Sequence, residues 1–156
     1  MSEVVSNSRF LVFSIGKEEY AIPLHDVREV IAVPDITPTP NSPPHFLGIM
    51  NLRGQIISIV DVRLKFGIKS ANTEETTVVI LDLSGGAIGV VVDSVNSVLT
   101  AAADKLSVPP NLESTKNSEF ITSVYRTDND LVLVLDIAGA LGKDEKMLAQ
   151  KMNKAA

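Results

Sequence analysis

The chain has 156 residues, 45% of them hydrophobic and 21% charged, which is enough apolar material for a core and argues against global disorder. A net charge of −5, an aromatic content of 4% and the lack of Trp speak against nucleic acid as a main partner, because phosphate neutralisation needs clustered cations and single strands need stacking platforms. Cysteine is absent, so disulfides, thiolate metal sites and cysteine nucleophiles are excluded, which fits a reducing compartment.

Met1 to Ser8 reads as a loose tail; residues 1–9 are polar, contain Glu3 and do not form a signal peptide. Phe10–Ile15 and Tyr20–Leu24 form a strand hairpin across Gly16-Lys17, and Val27–Val33 is a third β-rich run. Residues 34–44 hold five of the eight prolines and are expected to be an extended loop. Phe46–Met50 and Gln55–Val60 are strands around the turn Asn51-Leu52-Arg53-Gly54. Asp61 then caps a short helix, Val62–Phe66, closed by Gly67. After a polar linker, Thr76–Leu83 and Ala87–Val92 form a second hairpin and Val95–Leu99 a further strand. A second connector, Leu106–Ser118, leads to strands Phe120–Tyr125 and Leu131–Leu135. Asp136 caps a short helix through Leu141, and 143–156 is a tail or an amphipathic helix with Met147, Leu148 and Met152 on one side. The apolar runs are too short and interrupted to span a bilayer, so no direct membrane insertion is expected.

These elements occur twice. Phe13, Ile15, Ile22, Leu24, Val27, Val30 and Ile31 fall without a gap on Leu81, Leu83, Val90, Val92, Val95, Val98 and Leu99. Phe46-Leu47 falls on Phe120-Ile121, and Ile57, Ile59, Asp61 and Val62 on Val132, Val134, Asp136 and Ile137. The repeats span approximately 10–67 and 76–142 of a domain covering 10–142. A duplicated β unit predicts an all-β fold of two pseudo-symmetric small barrels or sheets packed together, with a seam that can bind something.

Chemistry-bearing patterns are scarce. His25 and His45 lack ligand-like spacing, and no metal or cofactor is expected. Ser84-Gly85-Gly86 reads as a hairpin turn and not a phosphate loop, since no Gly-Lys-Ser/Thr follows. No serine-nucleophile motif is present, and capping accounts for both Asp61 and Asp136 better than acid–base catalysis does. No catalytic residue is assigned and the chain does not read as an enzyme. Glu29, which interrupts the apolar run from Val27 to Ile31, and Arg53, in its turn, belong to the first repeat alone. They read equally as a surface ion pair of little energetic weight or as a charged edge beside an apolar recognition groove.

Tyr20-Ala21-Ile22, Val27-Arg28-Glu29-Val30-Ile31, Asn51-Leu52-Arg53-Gly54, Val60-Asp61-Val62-Arg63 and Gly89 to Val95 together resemble the CheW-like domain of bacterial chemotaxis. Ser58 is a departure, standing where family members often carry Pro. The resemblance implies two five-stranded β-barrels sharing a hydrophobic interface. It implies an adaptor that couples methyl-accepting chemoreceptors to the histidine kinase CheA, cytoplasmic and recruited to membrane-bound receptor clusters. The isolated chain is expected to be a monomer. No kinase ATP-binding segment or receiver domain is evident, which favours a free-standing family member; the alternatives are a detached CheA-type regulatory domain or another chemosensory-pathway adaptor. By the same likeness the receptor's signalling tip lies in a groove at Val27, Glu29, Val30, Gly48 and Arg53. Gly48 has a physical reason of its own there, because a missing side chain lets another backbone approach. The kinase's regulatory domain docks on exposed apolar strand residues of the second unit, with Val78, Ile80 and Val91 as candidates.

Overall fold

Each sheet of the protein draws strands from both repeats. The structure, a computed structural model, describes residues 9–40, 43–68, 71–83, 86–102, 105–107, 121–127 and 130–137. The strands are β1 (Arg9–Ile15), β2 (Glu18–Pro23), β3 (Val27–Ala32), β4 (Phe46–Leu52), β5 (Gln55–Asp61), β6 (Thr77–Leu83), β7 (Gly86–Val92), β8 (Ser94–Thr100), β9 (Leu106–Ser107), β10 (Ile121–Arg126) and β11 (Leu131–Leu135). A 3-10 turn, Leu24–Asp26, joins β2 to β3, and helix α1 spans Val62–Lys65. One sheet has the order β8-β1-β2-β11-β10-β9 and the other β3-β6-β7-β5-β4. The first-repeat hairpin β1–β2 therefore sits among second-repeat strands, and β6–β7 among first-repeat strands.

The exchange preserves register. Phe10 faces Pro23 as Val78 faces Val91. In the parallel pairs, Ala21 faces Val134 as Gly89 faces Ile59. Even the bulges correspond: β3 slips against β6 between Val27 and Glu29, and β8 slips against β1 at the matching residues, Val95 and Ser97. A bulge adds one residue and turns the strand face over. Hence Val27 packs on one cluster and Ile31 on another.

Three clusters follow from the alternation. The largest lies between the sheets and unites Leu11, Phe13, Ile15, Tyr20 and Ile22 with Val60, Val79, Leu81, Val90 and Leu135. The opposite face of the six-stranded sheet carries Phe10, Val12, Ala21, Val132 and Val134. The opposite face of the five-stranded sheet carries Met50, Ile57, Ile59, Val78, Ile80 and Val91. Apolar residues on both faces of a strand give near-continuous hydrophobic runs, which is what Val78–Leu81 and Ala87–Val92 are.

Several expectations meet small corrections. The second connector adds β9, whose Leu106 and Ser107 pair with Tyr125 and Val124, so one sheet has six strands and not five. Among the described residues no ladder joins the ends of either sheet. In the five-stranded sheet, side chains do: Arg28 of β3 donates to Gln55 at the start of β5, and Arg53 pairs with Glu29. The sheet is thus rolled so that its β3 edge meets the β4–β5 turn. The Asp61 cap is present, its Oδ1 accepting from the Arg63 backbone N–H at 3.0 Å, and Gly67 ends the helix at φ 75. Residues 1–8 of the expected tail, residues 84–85, residues 108–120, positions 138–141 of the short helix expected after Asp136 and the segment 143–156 lie outside the described residues.

Candidate interaction site

The turn after β4 is built by its own motif. Asn51 Oδ1 accepts from the Gly54 N–H at 2.8 Å, while Arg53 and Gly54 adopt φ 50 and φ 89. Positive φ at both central residues suits a two-residue hairpin. Gly takes it freely, but Arg53 is the one non-glycine at positive φ among the described residues. A left-handed L-residue costs roughly 1–2 kcal/mol. That conformation aims Arg53 at Glu29, with which it forms an ion pair. The Arg53 side chain is 69% exposed and that of Glu29 27%, so the pair contributes only about 0–1 kcal/mol to stability.

Beside it, Arg28 Nε donates to Asp82 Oδ2 at 3.2 Å and its NH1 to Gln55 Oε1 at 2.7 Å. The hydrogen bonds to Asp82 hold the Arg28 guanidinium above its ordinary pKa. Val30 is exposed on the same strand. The structure therefore brings Glu29 and Arg53 together at one rolled end of the five-stranded sheet, while Val30, next along β3, lies on the strand's exposed side. Val27 differs: it is half-buried and packs on the cluster between the sheets. Gly48 is buried in β4, and the backbone it admits is the chain's own. A Cβ there would stand 2.1 Å from the Thr37 carbonyl oxygen. Thr37 and Ile49 exchange backbone hydrogen bonds of 2.8 and 2.9 Å, so the proline-rich strap closes the β4 edge.

The expected exposure of Val78, Ile80 and Val91 is overturned. All three are at most 1% accessible. β6 and β7 are inner strands covered on both faces, so their alternation leaves no solvent side. These side chains are core and cannot present a surface to a partner.

Reading the sequence alone did not single out Arg63 as a functional residue. It is 4% exposed and bonds to Asp61 twice, both at 2.9 Å, to Asp93 Oδ1 at 3.0 Å and to Asn72 Oδ1 at 2.8 Å. Asp93 stands at the crossover from β7 to β8. Its Oδ2 accepts from the Gly16 N–H at 2.7 Å, and its own N–H donates to Ser14 O. Arg63 thereby clasps the two sheets at one end of the seam. The hydrogen bonds it donates to Asp61, and with them the one to Asp93, hold its guanidinium above the ordinary pKa against the opposing pull of burial. The available signal was an arginine two residues after a capping Asp, where the second repeat has Ala138.

Among the described residues, no group of three or more His, Cys, Asp or Glu forms a metal cluster, and no helix is long and apolar enough to cross a membrane. His25 makes an exposed contact with Asp26 at 3.3 Å.

Two sheets exchanging hairpins around a common seam, tied at one end by the Arg63 ion pairs, define a duplicated all-β module. The CheW-like domain profile matches residues 9–145, and the chain belongs to that family. It is 33% identical over 147 residues to the chemotaxis protein CheW of Klebsiella aerogenes, covering 94% of this chain and 89% of that protein. It is 29% identical to the chemotaxis protein CheW of Treponema pallidum, covering 83% and 79% of the two chains. The crystal structure of the scaffolding protein TtCheW from Thermoanaerobacter tengcongensis superposes with a TM-score of 0.81 at 27% identity, covering 89% of this chain and 95% of that one. The fold and the chemotaxis-scaffold class follow from these relatives.

Proposed function

We propose that the protein is a non-enzymatic adaptor that couples methyl-accepting chemoreceptors to the histidine kinase CheA at cytoplasmic receptor clusters. The observation that carries this reading is Arg53, held in a left-handed conformation that stability alone disfavours, and aimed at Glu29 beside exposed Val30. Strain kept at an exposed turn points to use of the residue by a partner. Val27, Glu29, Val30, Gly48 and Arg53 form the receptor-facing region in this reading. Glu29, Val30 and Arg53 make contact, and Val27 and Gly48 support them from within. Apolar side chains of a helical tip rest against Val30 while polar groups meet the ion pair. An adaptor with two partners raises the effective concentration of one near the other. If it favours one kinase arrangement, it also shifts that equilibrium. CheA's regulatory domain is the second partner, and its docking face is not at Val78, Ile80 or Val91.

The test is reconstitution of receptor-bearing membranes with CheA, measuring kinase autophosphorylation with and without this protein. An unchanged kinase output would sink the adaptor reading. Arg53→Gly sharpens it: the variant relieves the left-handed strain, so stability should hold or rise by about 1 kcal/mol while receptor control of the kinase falls. Val30→Asp should weaken binding of a receptor-tip fragment without unfolding the protein. Retention of normal coupling by both variants would move the receptor site elsewhere.

A further inference from the structure

Each edge strand β3 and β8 carries one residue with no partner opposite it, and the two residues differ. Where β3 slips against β6, Val27 faces Leu81 and Glu29 faces Ile80, so Arg28 is the extra residue. Where β8 slips against β1, Val95 faces Phe13 and Ser97 faces Val12, so the extra residue is Asn96, the repeat match of Arg28. A bulge releases its residue from the ladder and re-aims the side chain. Asn96 reaches only the neighbouring hairpin, where its Nδ2 donates to Ser14 Oγ at 2.8 Å and to Glu19 Oε2 at 2.9 Å. Arg28 reaches further. Its Nε and NH2 straddle both oxygens of Asp82 on β6, the repeat match of Ser14, while NH1 donates to Gln55 Oε1 at 2.7 Å. Gln55 opens β5 two residues after Arg53 and faces Leu52 across the turn. One guanidinium therefore ties the β3 edge to the turn that carries Arg53.

We propose that Arg28 is a positioning residue for the receptor-facing site: its tie holds the β4–β5 turn against β3 and so keeps Arg53 at Glu29. The proposal rests on the adaptor reading only for the identity of the partner that meets this pair. Arg53 is 69% exposed, and an exposed ion pair gains little against the freedom of two long side chains. Fixing the turn removes part of that freedom before a partner arrives, which is preorganisation. The fold itself does not require the tie, since the second repeat keeps the same bulge with the short Asn96. Stability does not require it either, because Arg28 and Asp82 are 31% and 54% exposed and such pairs contribute little. Lysine could not do the same work. Its ammonium is a point charge, whereas the planar fork meets the carboxylate with two bonds and still directs a third donor at Gln55.

The experiment follows the Arg53 Nε–H signal of the full-length protein by NMR, with no partner present. Glu29→Gln should shift that signal in the otherwise unchanged chain. In Arg28→Ala the response to Glu29→Gln should be largely lost, while the urea unfolding midpoint stays close to that of the parent. Gln55→Ala, which cuts the tie at its far end, should act in the same way. Binding of a receptor-tip fragment is the second readout. Arg28→Ala should weaken it about three- to tenfold, the cost of ordering one rotamer-rich side chain on binding. Arg28→Lys should stay closer to Arg28→Ala than to the parent. In an Arg53→Ala background, Arg28→Ala should have no further effect, because it acts through Arg53. An unchanged Arg53 response in Arg28→Ala would overturn the proposal. So would additive losses in the double variant, or parental binding by Arg28→Lys, which would leave charge alone as the cause. Failure of the parent protein to bind the fragment would instead sink the adaptor reading, and the Arg53 response would still decide whether Arg28 sets the pair.

Discussion

The two ends of the inter-sheet seam start from matching residues and finish differently. At one end Arg63, Asp61, Asp93 and Asn72 form a buried polar network that reaches Gly16 of the opposite sheet. At the other, Asp136 is exposed and an apolar cleft remains. A duplicated fold needs only one end tied to fix how its sheets sit against each other, and the second end is then released from that duty. The same division appears at the sheet ends. The rolled end of the five-stranded sheet carries the strained Arg53 turn, while the matching turn of the six-stranded sheet closes by a Thr127–Asp130 backbone bond with no such arginine. Repeat positions that diverge are therefore where one half has taken on a task the other lacks.

Making the clasped end resemble the open one should have the largest effect. Arg63→Ala leaves Asp61 and Asp93 without their shared cation in a buried site. Removing one partner of a buried ion network costs about 3–5 kcal/mol, to be read from urea unfolding midpoints. Asp136→Ala, at the exposed counterpart, should cost no more than about 1 kcal/mol. Equal losses would mean that the two ends are equally structural and the comparison fails. Gly48→Ala should come next. Its Cβ would collide with the Thr37 carbonyl, at a φ of 146, for a loss of about 2–3 kcal/mol. The strap would loosen too, so the Thr37 and Ile49 amides should exchange faster with solvent. Thr122→Ala, at the aligned position of the second repeat, should do neither.

Much of this division was legible in sequence. Hydrophobic alternation and turn chemistry located the strands, the Asp61 cap and the repeat itself, because each is a local signal. Glu29 and Arg53 stood out because they broke the repeat, and the structure pairs them. The exchange of hairpins between sheets was not legible. Strand pairing is non-local, and a pattern that repeats faithfully fits either assembly equally well. The burial of Val78, Ile80 and Val91 was missed for a related reason: a strand apolar on both faces cannot say which face meets water, and here neither does. The clasp depends on Asp93 and Asn72, which reach Arg63 only through the fold.

Ser58 sharpens the comparison in the stabilising direction. Its hydroxyl is buried without a hydrogen-bond partner, at the position where the second repeat has Leu133. An unsatisfied buried hydroxyl costs about 1–3 kcal/mol, partly recovered when it is removed. Ser58→Ala should therefore raise stability by about 1 kcal/mol, checked by thermal unfolding.

The smallest effect concerns Tyr20, whose repeat counterpart is Ile88. Its ring stacks on Phe13 with centroids 6.1 Å apart and tilts against Phe66 at 5.8 Å. Burial, and then the nearby charge of Glu18, lifts its hydroxyl above tyrosine's ordinary 10.0. A raised value means that the folded chain keeps this proton longer than the unfolded one. Below pH 10 both states hold it and Tyr20 adds no pH dependence. As pH climbs past 10 the unfolded chain ionises first, so stability falls, by at most about 1.4 kcal/mol per pH unit. Tyr20→Phe should flatten that alkaline slope in urea unfolding measured between pH 9 and 11. Ile88→Val, which removes buried apolar volume but no proton, should lower stability by a similar amount at every pH. An unchanged slope in Tyr20→Phe would show that the hydroxyl ionises as freely in the folded protein as in the unfolded chain.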